Sequence, residues 1–418
     1  MDFNDTPEES KFRAEARSWL EASAKPRKGS DDIFSMFSER DDGELVQAAK
    51  AWQAKKADGG WACITWPKAF GGRGGMPMQS VIWGQEESKF NVPPNIFAIG
   101  IGMAGPTIMT HGSKEQKDRY LPPMLRGAEI WCQLFSEPGA GSDLAGLKTR
   151  AEKDGDMWVI NGQKVWTSGA HYSDFGILVT RTNFDSPKHK GITYFIVDMK
   201  SPGIEVRPIK QISGGANFNE VFFTDVRIPD ANRMGGVDKG WGVALTTLMN
   251  ERFTIGGGMG MGSGFGFEDL IALAKRSSWG EGTAYQDPAI RQRLADLYVR
   301  SKGLQYTGYR AITALSKGGI PGPEASGGKL VFSQMLQDMA ALALELQGPS
   351  GSLTDKSVVL QDAIWQEAFQ WAPGLRIAGG TDEVLRNIIG ERVLGLPGDI
   401  RVDKTVPFKS IPSSGDAS

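Results

Sequence analysis

The sequence predicts an α+β protein in which helical segments stand before and after a module of β-strands. Apolar residues follow a helical period up to about residue 130, form strand-like runs from Trp131, and return to a helical period after Gly236. This order excludes the alternating βαβ units of a parallel sheet. At 418 residues the chain is long enough for two or three domains. We expect them at residues 1–130, 131–235 and 236–400, followed by a tail at 401–418.

Capping residues mark the helices of the first domain. Thr6 is a predicted N-cap, with Pro7 in the first turn and Glu9 closing a capping box. Ser113 begins a second box of the same kind. Because proline cannot continue a regular helix, we expect that helix to stop before the two prolines at 122–123.

Short β-branched and aromatic runs mark the β module. Asn161 and Gly162 lie between two such runs, and this dipeptide favours a type I′ turn. We therefore predict a hairpin with strands at 157–160 and 163–168. Further strands are expected at 192–198 and 221–228.

The third domain is predicted to be helical. Asp287 before Pro288 caps one helix, residues 329–346 form another, and Thr381 caps the last one. The segment after Pro397 ends in Pro, Ser and Gly, so we expect it to be poorly ordered.

Composition excludes several classes of function. The chain has 47 Lys and Arg against 49 Asp and Glu, so its net charge of −2 favours neither nucleic acid nor an anionic membrane. Two cysteines cannot form a disulfide framework, and three histidines offer little for a metal site. Prolines and glycines interrupt the uncharged run at 90–113, which favours a buried segment over a membrane span. The acidic N-terminus does not resemble a signal peptide, so we expect a cytoplasmic protein.

Two glycine motifs resemble nucleotide-binding loops without the required context. The motif at 100–105 lies in a helical segment and is followed by Pro106, so close helix packing explains its glycines better. Lys329 follows two glycines, but Leu330 stands where a phosphate-binding loop needs a hydroxyl for Mg²⁺.

One loop gives the strongest indication of a ligand. Residues 133–143 are rich in Gly and Ser and lie between strands, so their N–H groups and hydroxyls suit a planar heterocycle. Trp166, at the end of the following strand, is placed to cover one face of such a ring. From these residues alone, an ordinary turn and a core tryptophan explain the segment equally well.

Together with a C-terminal motif, this loop resembles the acyl-CoA dehydrogenase family over about residues 1–397. The family's flavin loop is similar to residues 133–142, its second flavin strand to 166–168, and its C-terminal signature to 377–397. The resemblance implies an N-terminal helical domain, a barrel-like or sandwich β domain and a C-terminal bundle of four helices. It also implies FAD, an acyl-CoA substrate and α,β-desaturation.

The resemblance also assigns individual residues. Arg276 and Gln292 match positions that reach the FAD of a neighbouring subunit, and Glu383 departs from the more usual Gln. The residues assigned to the substrate are Ser142, Arg252 and Gly380. Those assigned to FAD are Gln133, Leu134, Phe135, Ser136, Gly141, Ser142, Trp166, Thr167, Ser168, Arg276, Gln292, Glu345, Gln347, Gly348, Thr381 and Glu383.

The position of the catalytic base distinguishes this sequence within the family. Many members carry a Glu where this chain has Gly379, whose backbone N–H still suits the thioester oxygen. The branch resembling isovaleryl- and long-chain acyl-CoA dehydrogenases instead places the base in a Leu-x-x-Glu-Arg context. Leu248 to Arg252 match that context, so Glu251 is the expected base. The alternative is an exposed helix acid paired with Lys or Arg.

The resemblance implies that electrons pass to an electron-transferring flavoprotein and that the chain forms a homotetramer or homodimer. Alternatives are an acyl-CoA oxidase or flavin monooxygenase of the same fold, or one subunit of a mixed tetramer. Fatty, branched or steroid side-chain acyl groups are the expected substrates. The many glycines at 256–266 suggest extra room beside the acyl pocket, although close helix packing explains them as well.

Overall fold

Long helices and long strands occupy separate stretches of the chain, and the predicted α+β class is confirmed. The structure is a computed structural model that describes residues 5–27, 42–258, 266–316 and 326–412. Its helices are α1 Pro7–Ser23, α2 Asp42–Asp58, α3 Pro77–Glu87, α4 Gly105–His111, α5 Lys114–Arg126, α6 Gly240–Gly258, α7 Phe267–Arg276, α8 Pro288–Ser316, α9 Ser326–Leu346, α10 Ile364–Leu375 and α11 Asp382–Arg392. Its strands are β1 Lys25–Pro26, β2 Phe90–Asn91, β3 Trp131–Leu134, β4 Arg150–Asp154, β5 Met157–Ser168, β6 Phe175–Arg181, β7 Ile192–Asp198, β8 Ile204–Ile209, β9 Phe218–Pro229, β10 Arg233–Met234, β11 Ser278–Trp279 and β12 Gly282–Thr283.

The chain forms two compact units, which we name the sheet unit and the helical unit. The predicted domain boundaries at residues 130, 235 and 400 stay a prediction. The sheet unit comprises Arg40–Gly74, Pro93–Thr254 and Asp399–Ser418, and the helical unit comprises Met1–Glu39, Gly75–Val92 and Ile255–Gly398.

An eight-stranded sheet forms the sheet unit, in the order β10-β7-β6-β4-β5-β9-β8, with β3 paired to β6. Both faces of β7 are buried: Tyr194 and Ile196 pack with residues of α4, α5 and α6, whereas Phe195 and Val197 pack with other strands. A strand buried on both faces is a continuous apolar run. The strands predicted at 192–198 and 221–228 are confirmed as β7 and as part of β9.

The hairpin turn predicted at Asn161 and Gly162 is wrong, because both residues lie inside the single strand β5. The turn between β4 and β5 contains Gly155, whose φ is +59°. Gly162 is required by close packing instead, since a Cβ there would lie 2.6 Å from Thr149 Oγ1 and 2.7 Å from Thr149 Cα. The Asn-Gly pair thus marks an irregularity in the β5–β9 pairing, between Ile160 and Gly162.

Replacing Gly162 with Ala is expected to destabilise the protein by about 1–3 kcal/mol, because the added Cβ meets the backbone of Thr149. Gly242→Ala is the matched control, since nothing lies within 4 Å of a Cβ added at that helical position. The control is expected to be neutral or slightly stabilising. Urea unfolding followed by tryptophan fluorescence measures both variants, and equal midpoints would contradict the close approach.

Helix α5 begins at the predicted capping box but ends later than predicted. It continues through Pro122 and Pro123 to Arg126. The predicted stop before the prolines is wrong, because Leu121 and Met124 on either side are buried. Burying these side chains stabilises the helix enough to offset the hydrogen bonds that the prolines cannot make.

The glycine motif at 100–105 serves helix packing, as predicted. Gly100–Ala104 form a π-helical turn that leads into α4. A Cβ at Gly105 would lie 2.3 Å from the Trp66 ring. None of the described helices is long and apolar enough to cross a membrane.

A buried carboxylate holds α1 in the helical unit. The predicted capping box at Thr6 is present at the start of this helix. Glu86 of α3 is fully buried and accepts hydrogen bonds from Arg17 and Arg13 at 3.0 Å and from Lys89 at 2.8 Å. Burial raises the pKa of Glu86, but the hydrogen bonds from Arg17, Lys89 and Arg13 outweigh it and lower the pKa to about 2.

The stabilisation from Glu86 is expected to disappear in acid. Because its pKa falls from 4.5 in the unfolded chain to about 2 when folded, the stabilisation is complete above pH 4.5 and is lost as the pH falls toward 2. Between pH 4.5 and 2, the melting temperature of Glu86→Gln should fall less than that of the wild type. Glu8→Gln, on the exposed first turn of α1, should show the same fall as the wild type. Circular dichroism melts at several pH values measure this, and parallel curves for wild type and Glu86→Gln would contradict it.

The C-terminal helices begin where the sequence predicts. Asp287 Oδ1 accepts hydrogen bonds from the amides of Ala289 and Ile290 at the start of α8. Helix α9 covers the predicted 329–346, and apolar residues of α7, α8, α9 and α10 share one core.

Residues 407–409 are folded against other parts of the sheet unit. Phe408 is buried, and its N–H donates to Ser186 O at 2.9 Å. The prediction that the chain after Pro397 is poorly ordered is therefore wrong for these residues. Residues 413–418 lie outside the described residues.

Candidate functional site

Strand β3 carries the first predicted cofactor residues to the start of a loop. Gln133 is half-buried, whereas Leu134 and Phe135 are buried among the strands and helices of the sheet unit. The loop then passes close to the surface. Ser136 is half-buried, and Gly141 and Ser142 are exposed.

A buried ion pair anchors this loop. The Nζ of Lys164 lies 2.8 Å from Glu137 Oε1 and donates to Phe135 O at 3.0 Å. The amides of Lys148 and Thr149 donate to the same carboxylate at 2.6 and 2.9 Å. Burial raises the pKa of Glu137, but Lys164 and these hydrogen bonds outweigh it and lower the pKa. Both oxygens of the buried carboxylate are thus satisfied, which fixes the loop at its first turn.

The end of β5 exposes an aromatic ring on a strained backbone. Trp166 has a φ of +60° and is 59% exposed. Bulky residues adopt this conformation at a cost, and such strain is concentrated at functional sites. Thr167 is fully buried, and its Oγ1 has no hydrogen-bond partner in the described part of the chain. Ser168 is exposed.

These features fit a planar ligand with polar edges. The indole of Trp166 offers a flat apolar face, and the exposed loop offers N–H groups and the Ser142 hydroxyl. A buried hydroxyl without a partner costs about 1–3 kcal/mol, so a ligand that reaches Thr167 would gain a hydrogen bond. The residues at this site therefore fit the flavin that the resemblance implies.

Glu251 lies beside the start of the same loop. It is half-buried on α6, and its Oε2 accepts a hydrogen bond from Gln133 Nε2 at 3.2 Å. The expected base and the first predicted cofactor residue thus meet although they are far apart in sequence. The side chain of Arg252 lies outside the described residues, as do residues 259–265 of the glycine-rich segment.

A hydroxyl network fixes the turn of α6 that precedes Glu251. The Oγ1 of Thr247 lies 2.9 Å from the Tyr194 hydroxyl and 3.0 Å from Thr107 Oγ1. All three residues are fully buried, and they connect α6 with β7 and α4. Since Thr247 and Glu251 lie one turn apart on one helix face, this network also sets the position of the carboxylate.

In the helical unit, the C-terminal signature forms a glycine turn before a capped helix. Gly379 and Gly380 have φ values of +65° and +95°, which glycine adopts without strain. The Nζ of Lys329 on α9 donates to Gly380 O at 2.7 Å. Thr381 caps α11 as predicted, and Glu383 is exposed in its first turn.

The other predicted cofactor residues lie on or next to α7, α8 and α9. Arg276 is exposed at the end of α7, and Gln292 is exposed beside a groove of about 420 Å³ on α8 and α9. Glu345 pairs with Arg293 at 2.8 Å. Gln347 is half-buried, and Gly348 is exposed with a φ of +55°. Their assignment to the cofactor stays a prediction.

Three lysines at or near these positions had no assigned role from the sequence. Lys164 is a cation beside β-branched and aromatic residues of the predicted strand at 163–168, and a cation in such a strand signals an internal partner. The glycines before Lys329 resemble a phosphate-binding loop, whereas the side chain of Lys329 holds the glycine turn through Gly380 O. Lys188 has no local signal, because its partners Asp143 and Asp403 are 45 and 215 positions away.

Family models match most of the chain. Models of the N-terminal, middle and C-terminal domains of acyl-CoA dehydrogenases match residues 6–128, 132–226 and 238–394, respectively. The middle and C-terminal matches contain all the predicted site residues. Described residues contain no group of three or more His, Cys, Asp or Glu that could hold a metal ion.

Relatives and solved structures cover nearly the whole chain. Acyl-CoA dehydrogenase IpdE1 of Mycobacterium tuberculosis is 36% identical over 399 residues, which cover 92% of this chain and 97% of the relative. The ChsE4-ChsE5 complex of Mycobacterium tuberculosis is similar with a TM-score of 0.76 and 28% identity, covering 96% of this chain and 100% of the other. The steroid ACAD Tcur3481-Tcur3483 is similar with a TM-score of 0.78 and 27% identity over the same shares.

Proposed function

The chain belongs to the acyl-CoA dehydrogenase family of FAD-dependent oxidoreductases acting on acyl-CoA, and from this premise we propose that Glu251 is its catalytic base. The observation that carries the proposal is the 3.2 Å hydrogen bond from Gln133 to the Glu251 carboxylate. It puts a half-buried acid next to the loop that resembles the family's flavin loop.

In this proposal, Glu251 accepts the proton that leaves the α-carbon of the thioester. The Gln133 amide donates a hydrogen bond to this carboxylate and so orients it beside the loop. The Thr247 network holds the helix turn below it. FAD supplies the acceptor for the hydride that leaves the β-carbon.

Other residues are proposed to bind and orient the reactants. Trp166 covers the flavin ring and the 133–142 loop donates to its polar edge, which fits the exposed indole and the unpartnered Thr167 hydroxyl. The family resemblance assigns the backbone N–H of Gly379 to the thioester oxygen, where negative charge develops. The remaining assigned residues keep their predicted roles in binding FAD or substrate.

The substrate is proposed to carry a bulky acyl group of the steroid side-chain or branched type. A solved structure 27% identical to this chain is a steroid ACAD. Gly379 stands where many family members carry a Glu, so no side chain occupies that part of the signature.

Flavin bleaching by a panel of acyl-CoAs tests the proposed function. The purified chain should be yellow, and an anaerobic mixture with a steroid side-chain or branched acyl-CoA should lose the absorbance of oxidised flavin. Bound flavin that no acyl-CoA reduces would contradict the proposal, and a preference for short straight chains would contradict the bulky substrate. Turnover with a ferrocenium acceptor or electron-transferring flavoprotein, without peroxide release, would separate the dehydrogenase from an oxidase.

A mixed oligomer is a second candidate for the functional form. The ChsE4-ChsE5 structure, 28% identical to this chain, is a complex. The mass and flavin content of the chain purified alone distinguish the two forms. A homotetramer or homodimer with one FAD per chain supports the self-sufficient enzyme, whereas a colourless chain that gains flavin only with a partner supports the mixed oligomer.

A further inference from the structure

The end of the described chain is bound to the sheet unit through its backbone and one aromatic ring. We name residues 399–412 the C-terminal clasp. Pro407 forms a bridge with Pro187, and the Lys409 N–H donates to Phe184 O at 3.0 Å. The Phe408 ring lies 3.6 Å from the Arg181 guanidinium carbon. These contacts involve both backbone and side chains, so the clasp is a built element of the sheet unit.

Arg181 connects the clasp to the residues that follow the 133–142 loop. The guanidinium is fully buried, and it donates to Ala145 O at 2.6 Å and to Leu147 O at 2.9 Å. The Phe408 ring covers the same guanidinium, with 3.6 Å between the ring centre and the guanidinium carbon. Removing the ring would expose to water a cation whose hydrogen bonds hold two carbonyls just after the loop.

Lys188 forms a second, separate connection. Its Nζ lies 2.8 Å from Asp143 Oδ2 and 2.5 Å from Asp403 Oδ2. The lysine side chain is 9% exposed, whereas the side chains of Asp143 and Asp403 are 58% and 32% exposed, so a shielded cation reaches two carboxylates at the surface. Asp143 stands at the end of the loop and Asp403 belongs to the clasp, so one cation joins the two segments.

Within residues 138–142 of this loop, Ala140 alone is buried, at 2% exposure, and it forms a bridge with Glu137. Glu137 fixes the first end through the buried pair with Lys164. Gly139 and Gly141 are exposed, and a Cβ added at either would meet nothing within 4 Å. Beyond Ala140 the loop is exposed at 141–142, and its far end is fixed by the ion pair of Asp143 together with the buried Leu144 and Ala145.

We propose that the C-terminal clasp, acting through the positioning residues Lys188 and Arg181, fixes the far end of the 133–142 loop and so controls how tightly the protein retains its flavin. The inference rests on the proposed function, because it takes this loop as the flavin loop. A loop held at both ends presents its N–H groups in one arrangement, whereas a loop held at one end must be ordered by the ligand at a cost in affinity.

Hydrogen–deuterium exchange and FAD titration of full-length variants test the proposal. Asp403→Asn and Phe408→Ala each remove one connection, and each should speed exchange of amides 138–147 in flavin-stripped protein and weaken FAD binding about 5–10-fold. Asp403→Glu keeps the charge and should restore the wild-type affinity. Lys404→Gln, at a neighbouring exposed position, is the matched control and should change neither measurement.

Each result decides one part of the inference. Unchanged exchange in both Asp403→Asn and Phe408→Ala overturns the clasp, and faster exchange with unchanged FAD affinity overturns its link to the cofactor. Equal behaviour of Asp403→Glu and Asp403→Asn overturns the role of the ion pair with Lys188. Hydrogen–deuterium exchange is measured in flavin-stripped protein, so it tests the clasp whether or not FAD binds. A wild-type protein that binds no FAD would refute the proposed function but not the clasp.

Discussion

Replacing Glu251 with Gln is expected to slow flavin reduction by acyl-CoA about 10²–10⁴-fold, the range that a positioned general base contributes. The amide has the shape of the carboxylate and keeps an oxygen that can accept from Gln133, so the variant should fold and bind FAD normally. The amide cannot take up the α-proton, so removal of that proton, and with it flavin reduction, is slowed. Rapid-mixing absorbance of the flavin under anaerobic conditions measures the rate.

The matched control makes the same chemical change at the surface. Glu152 on β4 is exposed and pairs with Arg150 at 3.1 Å, so Glu152→Gln should reduce its flavin at the wild-type rate. Near-normal reduction in Glu251→Gln would refute the assignment of the base, even if the family and the cofactor are right. Loss of FAD from the same variant would instead indicate a structural role for Glu251.

Replacing Lys164 with Met is expected to destabilise the sheet unit by about 3–5 kcal/mol, because it leaves the buried Glu137 carboxylate without its cation. The lysine side chain is completely buried, so water cannot take its place without opening the strand. Since Glu137 also accepts from the amides of Lys148 and Thr149, the loop should lose its first fixed point as well. Urea unfolding and FAD titration measure the two consequences.

Two further variants separate the buried charge from the loss of a long side chain. Lys190→Met makes the same substitution at an exposed position and should change stability by no more than about 0.5 kcal/mol. The double variant Glu137→Gln with Lys164→Met should be more stable than Lys164→Met alone, because it removes the uncompensated charge. A double variant less stable than the single one would show that the ion pair is not the cause.

Elements with local signals were predictable from the sequence. The capping boxes at Thr6 and Ser113, the N-cap at Thr381 and the strand at 192–198 depend on residues within one turn or one strand. The loop and signature motifs also sufficed for the family, which the domain matches confirm.

Predictions based on a single residue type failed where distant contacts decide the outcome. The prolines at 122–123 remain in a helix because apolar neighbours on both sides are buried. Gly162 serves the approach of Thr149, the residue before β4, which no local rule for Asn-Gly considers. The tail folds because Asp403 and Phe408 find partners far back in the chain.

The amino-acid sequence by itself therefore determined the order of helical and strand segments, several of their caps, and the family to which the chain belongs. Only the tertiary structure decided that Glu251 meets Gln133, that Lys164 holds Glu137, and that Lys188 joins Asp143 to the chain end. The physical reason is the distance along the chain over which each interaction acts. Backbone preferences and caps act over a few residues, whereas a buried charge is stable only beside a partner that the folded chain brings from elsewhere.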